Sequence, residues 1–598
     1  MDKRYGGLSI AMQNGLIDAF IVAIRSFAIM ICVVLGCAAV MLFPGYAWAS
    51  LESDQTPATE QEIAQAFEEG KISFEQKGDS RSISVYASRS IPSPVSVESY
   101  AGESMFETAA SIALAAYPGG CDTAVIAGAG DAWVDALSAS GLAGSRGPVL
   151  FCWRDSLPAA TADALRTLGV GRVVVVGGQA AVSDEVVAQL SGIGIALEAR
   201  LAGDDAFGTQ LAIFEYGCEH GLWDPGMIVV ATGTGFGDAL SVSPVAYARR
   251  APVFLTGADG GFSPEQKDAL VEAASLGYGA EVVVVGGEAV VSNYTVGFCD
   301  FISAFSGGSG STVRLAGPTQ YETSAAIAEW AVSSQGFTWS SPAFATGLSP
   351  YDGLAGAVLQ GEARSPLLLV SGYDSAVFDV VESAAASVVS IRFLGGESAI
   401  DMRTRMGIAD RLSIPFAAIP GFKVYIDAGH GWDDSGDGGY DPGATGSGYE
   451  EATITRELAG LVADILRSEY GVEVFLNDDG GWYKLRHAEA IAQGCDALVS
   501  IHFNSSGGMG ATGSESLIHE YNASFLSQSW QQSIHPKLIQ GTGLMDRGMK
   551  TQEVAILGGY LPATLLEVCF IDNSYDMNQY GIRKDEIAHR IAEGIVSR

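Results

Sequence analysis

The sequence predicts an α/β protein: three tandem small modules, each a mostly parallel, Rossmann-like sheet with crossover helices, then a separate α/β domain. Three observations predict this. Apolar, β-branched runs of four to six residues alternate with Ala-rich stretches of helical length, the pattern of strands buried on both faces. Between residues 96 and 416 one set of signals recurs three times in the same order. After residue 420 the repeats stop while the strand–helix alternation continues, and six of the seven His lie there.

The N-terminus reads as an export signal over residues 1–49. Lys3, Arg4 and Arg25 precede an uncharged apolar run, Phe27 to Phe43, and Ala47-Trp48-Ala49 is the small-x-small pattern of a cleavage site before Ser50. Two other readings fit this segment, a retained membrane anchor and lipidation at Cys37. All three place the bulk of the chain outside the cytoplasm, and cleavage leaves no stable membrane association. Residues 50–95 form an acidic lead-in, with a short helix expected over 61–69 and a Ser/Pro-rich linker from Ser88 to Ser96.

Composition narrows the partners. Lys+Arg number 33 against 69 Asp+Glu, a net charge of −36. A protein this acidic has no general basic face for nucleic acid, nor for an anionic membrane surface. Hydrophobic residues at 48% and charged ones at 17% suit large buried cores rather than a disordered acidic tail. Eight Cys, none in a CxxC pair, make neither a disulfide scaffold nor a zinc ribbon.

Three repeats are expected over 96–199, 200–313 and 314–416. Each opens with a Gly and then an aromatic-x-Thr at the start of a helix: Gly102 with Phe106 and Thr108, Gly203 with Phe207 and Thr209, Gly317 with Tyr321 and Thr323. An apolar strand follows, and then an Asp that opens a small-residue helix: Asp135, Asp238 and Asp352. The spacing predicts that each Asp caps its helix. A β-branched run ending in Gly-Gly closes the set, at 177–178, 286–287 and 395–396, a period of 109 residues. That is too long for a solenoid repeat and suits a module with its own core.

These units resemble the cell wall binding repeat type 2 family of Gram-positive bacteria. The resemblance implies non-covalent anchoring to anionic secondary polymers of the wall, by three modules packed into one triangular unit. Where the family carries Arg before the aromatic, this chain has Met105, Ala206 and Gln320, and Arg remains only upstream, as Arg200 and Arg314. A charge of −36 then calls for local basic pockets or bridging cations.

The chemistry lies in residues 420–598. Val424 to Gly431 is a strand ending in a tight turn that presents His430, and Ala497 to Asn504 is a second strand with His502 near its end. Strand ends in parallel sheets are where ligand sites gather. Between them an acidic pair, Glu450-Glu451, opens an amphipathic helix. Glu567 interrupts an otherwise apolar strand in the segment Pro562 to Asn573. A carboxylate buried there needs a cation, a metal or a raised pKa. Two imidazoles and a carboxylate make a three-ligand zinc site with a fourth position for water, and a further carboxylate can take that water's proton.

Four segments here resemble, in order, the zinc-dependent N-acetylmuramoyl-L-alanine amidase family (amidase type 3). They are Asp427-Ala428-Gly429-His430-Gly431, the helix opened by Glu451 with Ile454, Leu458 and Ala459 in register, Ser500-Ile501-His502-Phe503-Asn504, and the Pro562-to-Glu567 strand. Arg486 and Asp546-Arg547-Gly548 also fit. The resemblance implies an α/β domain with a mixed sheet flanked by helices. It implies Zn2+ held by His430, Glu451 and His502, Glu567 as catalytic base, and substrate contacts from Asn504 and Arg547. The bond whose cleavage it implies is the amide between N-acetylmuramic acid and L-alanine of peptidoglycan, and the protein it implies is one secreted to the cell wall of a Gram-positive bacterium. Two alternatives remain at this stage: a zinc endopeptidase on stem peptides, and a wall-bound adhesin or scaffold with an inactive amidase domain.

Overall fold

The computed structural model describes residues 95–372, 375–508 and 510–597. The export segment, Cys37 and the lead-in helix expected over 61–69 lie outside them. No helix among the described residues is long and apolar enough to cross a membrane.

In chain order the repeat region forms β1 (Ser96–Tyr100), β2 (Thr123–Gly128), β3 (Val149–Cys152), β4 (Arg172–Val176), β5 (Ala196–Leu201) and β6 (Met227–Thr232). There follow β7 (Val253–Thr256), β8 (Glu281–Val285), β9 (Val313–Leu315), β10 (Ala343–Thr346), β11 (Leu367–Val370) and β12 (Ser390–Leu394). They sort into three parallel four-stranded sheets, ordered β3-β2-β4-β5, β7-β6-β8-β9 and β1-β12-β10-β11. As the alternation predicts, the central strands are apolar on both faces and buried under helices.

Repeat and sheet run one strand out of step. β5 and β9 precede the opening motifs of the second and third repeats, yet pair with β4 and β8 of the repeat before. β1 has no repeat before it and pairs with β12 of the last, from Ser96 opposite Ser390 to Tyr100 opposite Leu394. β1 therefore closes the three modules into a ring.

The three recurring signals meet at the seams of this ring. Each opening Gly donates its N–H to the Thr hydroxyl six residues on, at 3.1, 3.3 and 3.0 Å for Gly102, Gly203 and Gly317. Thr209 and Thr323 in turn hydrogen-bond Asp135 and Asp238 of the preceding repeat. Gly177, Gly286 and Gly395 sit at φ 102°, 109° and 106°, where a side chain would strike those Asp residues and Asp352. The Asp residues do not cap their helices, which have no side-chain cap. They lie inside the first turn and face the Gly-Gly turn instead. Burial pushes Asp135 and Asp352 up to about 6, and raises Asp238 also. Arg200, Arg314 and Arg405 complete each seam by donating to the carbonyls of Gly177, Gly286 and Gly395, at 3.2, 2.9 and 2.9 Å. At the centre, Ala239–Tyr247 and Asp352–Gly361 of two small-residue helices are wholly buried. Gly, Ala and Ser there let helices approach closely.

The last domain is built on a mixed six-stranded sheet. Its strands are β13 (Lys423–Ala428), the two-residue pairs β14 (Gly431–Trp432) with β15 (Tyr440–Asp441) and β16 (Thr445–Gly446) with β17 (Tyr449–Glu450), then β18 (Glu473–Asn477), β19 (Ala497–Asn504), β20 (Ser514–His519), β21 (Asp546–Gln552) and β22 (Ala563–Phe570). The main sheet runs β18-β13-β19-β22-β20-β21, parallel except that β20 is antiparallel to β22. Helix α1 (Glu451–Ile465) lies against β13 and β19, α2 (Phe525–Thr542) against β20 and β22, and α3 (Ser574–Val596) packs on both helices. Its core is continuous with that of the third repeat: Phe393, Met406 and Phe416 belong to one apolar cluster with Phe422 and Trp530. Polar contacts join the same surfaces, Ser529 donating to Asp410 and Arg411 lying over the Phe525 ring at 5.0 Å.

Candidate metal centre

β13 leads into Gly429-His430, and His430 adopts a left-handed φ of 67°, a strained conformation for a residue with a Cβ. The turn brings His430 to His502, on the neighbouring strand β19, with ring centroids 5.0 Å apart. A Cβ at Gly429 would lie 2.3 Å from the His502 ring, and one at Gly443 would press on His430. These two glycines are what let the imidazoles converge.

Glu451, first residue of α1, is 3% exposed. Its Oε2 lies 3.2 Å from His430 Nε2 and its Oε1 3.1 Å from His502 Nδ1. Backbone N–H groups of Ala444 and Phe503 hold the carboxylate, at 2.8 and 2.9 Å. One donor atom from each residue falls within 4.8 Å of the others. Bonds of about 2.0–2.1 Å to a tetrahedral zinc place ligand atoms about 3.3 Å apart, so the donor set fits such an ion. The sequence-based candidates His430, Glu451 and His502 are therefore brought together; Glu450 instead takes a hydrogen bond from the Tyr440 hydroxyl.

The cluster's electrostatics suit a cation. Burial alone would lower the His430 pKa, but hydrogen bonds to Asp441 and Glu451 outweigh it and push it up to about 11. The field that holds a proton there also favours a metal ion. Burial would raise the Glu451 carboxyl, yet its hydrogen bonds to His430 and His502 and their charge hold it well below the ordinary range. Asp441 Oδ2, 2.9 Å from His430 Nδ1, fixes which ring nitrogen faces the cluster. Arg486 donates to Asp427 and Asp434 and to the Ala428 and His430 carbonyls, bracing the turn from beneath.

Glu567 lies on β22 directly opposite His502 of β19 on one side and Glu515 of β20 on the other. Its Oε2 is buried without a hydrogen-bond partner. Burial first, then the charges of Glu451 and Glu515, raise its pKa well above the ordinary value. Asn504 and Arg547 both turn to Glu515: Asn504 Nδ2 donates to Oε1 at 3.2 Å and Arg547 Nε to Oε2 at 2.6 Å, with Lys550 on the same oxygen at 2.6 Å. Arg547 also covers the Phe570 ring, at 4.8 Å. Sequence reasoning missed Glu515 and Asp441. A lone acid inside the buried strand Ser514–His519 was the available signal for the first. The other His lie apart: His487 is buried between the Ile556 carbonyl and the Leu561 N–H, and His535 pairs with Asp546.

Comparison with known proteins covers both parts of the chain. Residues 424–597 match the family described as N-acetylmuramoyl-L-alanine amidase. Residues 100–187, 200–296 and 314–404 match Cell wall binding domain 2 (CWB2). N-acetylmuramoyl-L-alanine amidase LytC of Bacillus subtilis (strain 168) is 26% identical over 508 residues, covering 84% of this chain and 94% of that protein. The sporulation-specific N-acetylmuramoyl-L-alanine amidase of the same organism is 38% identical over 162 residues, 26% of this chain and 59% of its own. Among solved structures, Cwp6 from Clostridium difficile aligns with a TM-score of 0.46 at 24% identity, covering 84% of this chain and 79% of the other.

Proposed function

This chain belongs to the N-acetylmuramoyl-L-alanine amidase family, and on that premise we propose that it is a zinc-dependent autolysin exported to the cell wall. Its reaction is hydrolysis of the amide between the lactyl group of N-acetylmuramic acid and L-alanine of the stem peptide. The repeats associate it with the wall. Their ligand, on our reading, is an anionic secondary polymer. Arg200, Arg314 and Arg405 are committed to the Gly-Gly turns, so other basic groups or bridging cations would meet the polymer.

His430 Nε2, His502 Nδ1 and the Glu451 carboxylate would hold the zinc. When bound, zinc lowers the pKa of a water and polarises the scissile carbonyl. Glu567 takes the proton from the attacking water and returns it to the departing L-alanine nitrogen. Asp441 keeps the His430 ring turned so that Nε2 faces the cluster. Glu515 holds Asn504 and Arg547 at the neighbouring edge, where they can position the stem peptide.

One observation carries this reading: the unpartnered, buried oxygen of Glu567, one strand from a His–Glu–His set that fits zinc. Such a carboxylate costs several kcal/mol unless a function retains it. Digestion of purified peptidoglycan tests the reaction. We expect new L-alanine amino termini and free muramic lactyl carboxylates, both abolished by a chelator and restored by zinc. Amines appearing inside the stem peptide instead would mean an endopeptidase.

A further inference from the structure

Along the segment that joins His430 to Glu451, the protein keeps large aromatic rings in solvent on a pinned backbone. Trp432 is 58% exposed, and Tyr440 and Tyr449 are 40% exposed. Each adjoins the cluster in the chain: Trp432 two residues after His430, Tyr440 directly before Asp441, Tyr449 two before Glu451. Trp432 and Tyr440 are partners across the β14–β15 pair, with ring centroids 5.2 Å apart. The Tyr440 hydroxyl donates to Glu450, next to Glu451, which ties the ring pair to the start of α1. From the other side, the Gly481 N–H donates to the Trp432 carbonyl at 2.7 Å. Gly480 approaches so closely, at φ 102°, that a Cβ there would strike the Trp432 backbone.

An exposed Trp contributes little to the core, and adjoining exposed aromatic rings mark interaction surfaces. Fixing the backbone beneath the ring reduces the entropy lost when a ligand binds. We propose that Trp432 and Tyr440 form a glycan subsite, stacking on sugar rings of the peptidoglycan strand that carries the scissile amide. The inference rests on the amidase reading above. That reading sets the occupant: with the lactyl carbonyl at the cluster, the muramic ring is one ether linkage away. The C–H-rich faces of a pyranose ring suit aromatic faces, whereas the stem peptide leaves from the other side of the amide.

The full chain is treated with N-bromosuccinimide with and without millimolar peptide-free N-acetylglucosaminyl–N-acetylmuramyl tetrasaccharide, and oxidation of each Trp is read by peptide mapping. We expect the glycan to slow oxidation of Trp432 but not of Trp153, which is 47% exposed on the repeats. We also expect Trp432→Ala to weaken tetrasaccharide binding about tenfold, with Trp432→Phe retaining most of it. Unchanged oxidation of Trp432 with glycan, or protection by free stem peptide alone, overturns the proposal. The oxidation assay uses the wild-type protein and needs no turnover. An active amidase whose Trp432 is unprotected loses only the subsite; a protected Trp432 in a chain that releases no L-alanine termini loses only the amidase reading.

Discussion

At the scale of single residues, the centre depends on side chains that are absent as much as on those present. Gly429 leaves the space that the His502 ring fills. We predict that Gly429→Ala abolishes tight zinc binding while the repeats still fold, measured by competition with a chromogenic chelator. Asp441 acts through His430, so Asp441→Ala should lower zinc affinity about 10–100-fold in the same assay. His430, Glu451, His502 and Glu567 were legible in the sequence because each sits in a short local motif. Asp441 and Glu515 were not, since their partners lie across a loop and across a strand. Only the sheet order puts Glu515 opposite Glu567.

Among elements, β1 departs furthest from what the repeats suggested. The period of 109 residues marks three copies of one unit, but self-similarity does not say which sheet a copy's first strand joins. Parallel pairing of β1 with β12 completes the third repeat's sheet with a strand that precedes the first repeat's opening motif. Deleting residues 95–101 should therefore expose the third module more than the first. Hydrogen exchange is expected to quicken across β12 while β4 stays protected, and equal loss in both sheets would contradict the ring closure. The Asp signals were legible as a pattern, yet their role was misjudged. A turn-side Asp suggests a cap, and only the assembled seam sets it against a Gly-Gly turn.

For the whole molecule, the seams set a pH dependence. Asp352 titrates at 3.8 unfolded and about 6 in the fold, so the folded state binds more protons between those values. Its contribution to stability is present below about pH 4 and is lost as pH rises through 6. Asp352→Asn should stabilise the protein at pH 8 by on the order of 2 kcal/mol, with less gain at pH 4, read from denaturant midpoints. No gain at pH 8 would mean that the seam tolerates the charge. The joint core of third repeat and last domain was not legible either, because the chain around residue 420 reads as a boundary. The central claim joins a metal-binding cluster to a base one strand away, and the Glu567→Gln variant tests it most directly. Zinc content and release of L-alanine amino termini from peptidoglycan are measured on the same preparation: we predict about one zinc per chain, as for the wild type, with turnover reduced at least about 100-fold. Full turnover in that variant would contradict the account.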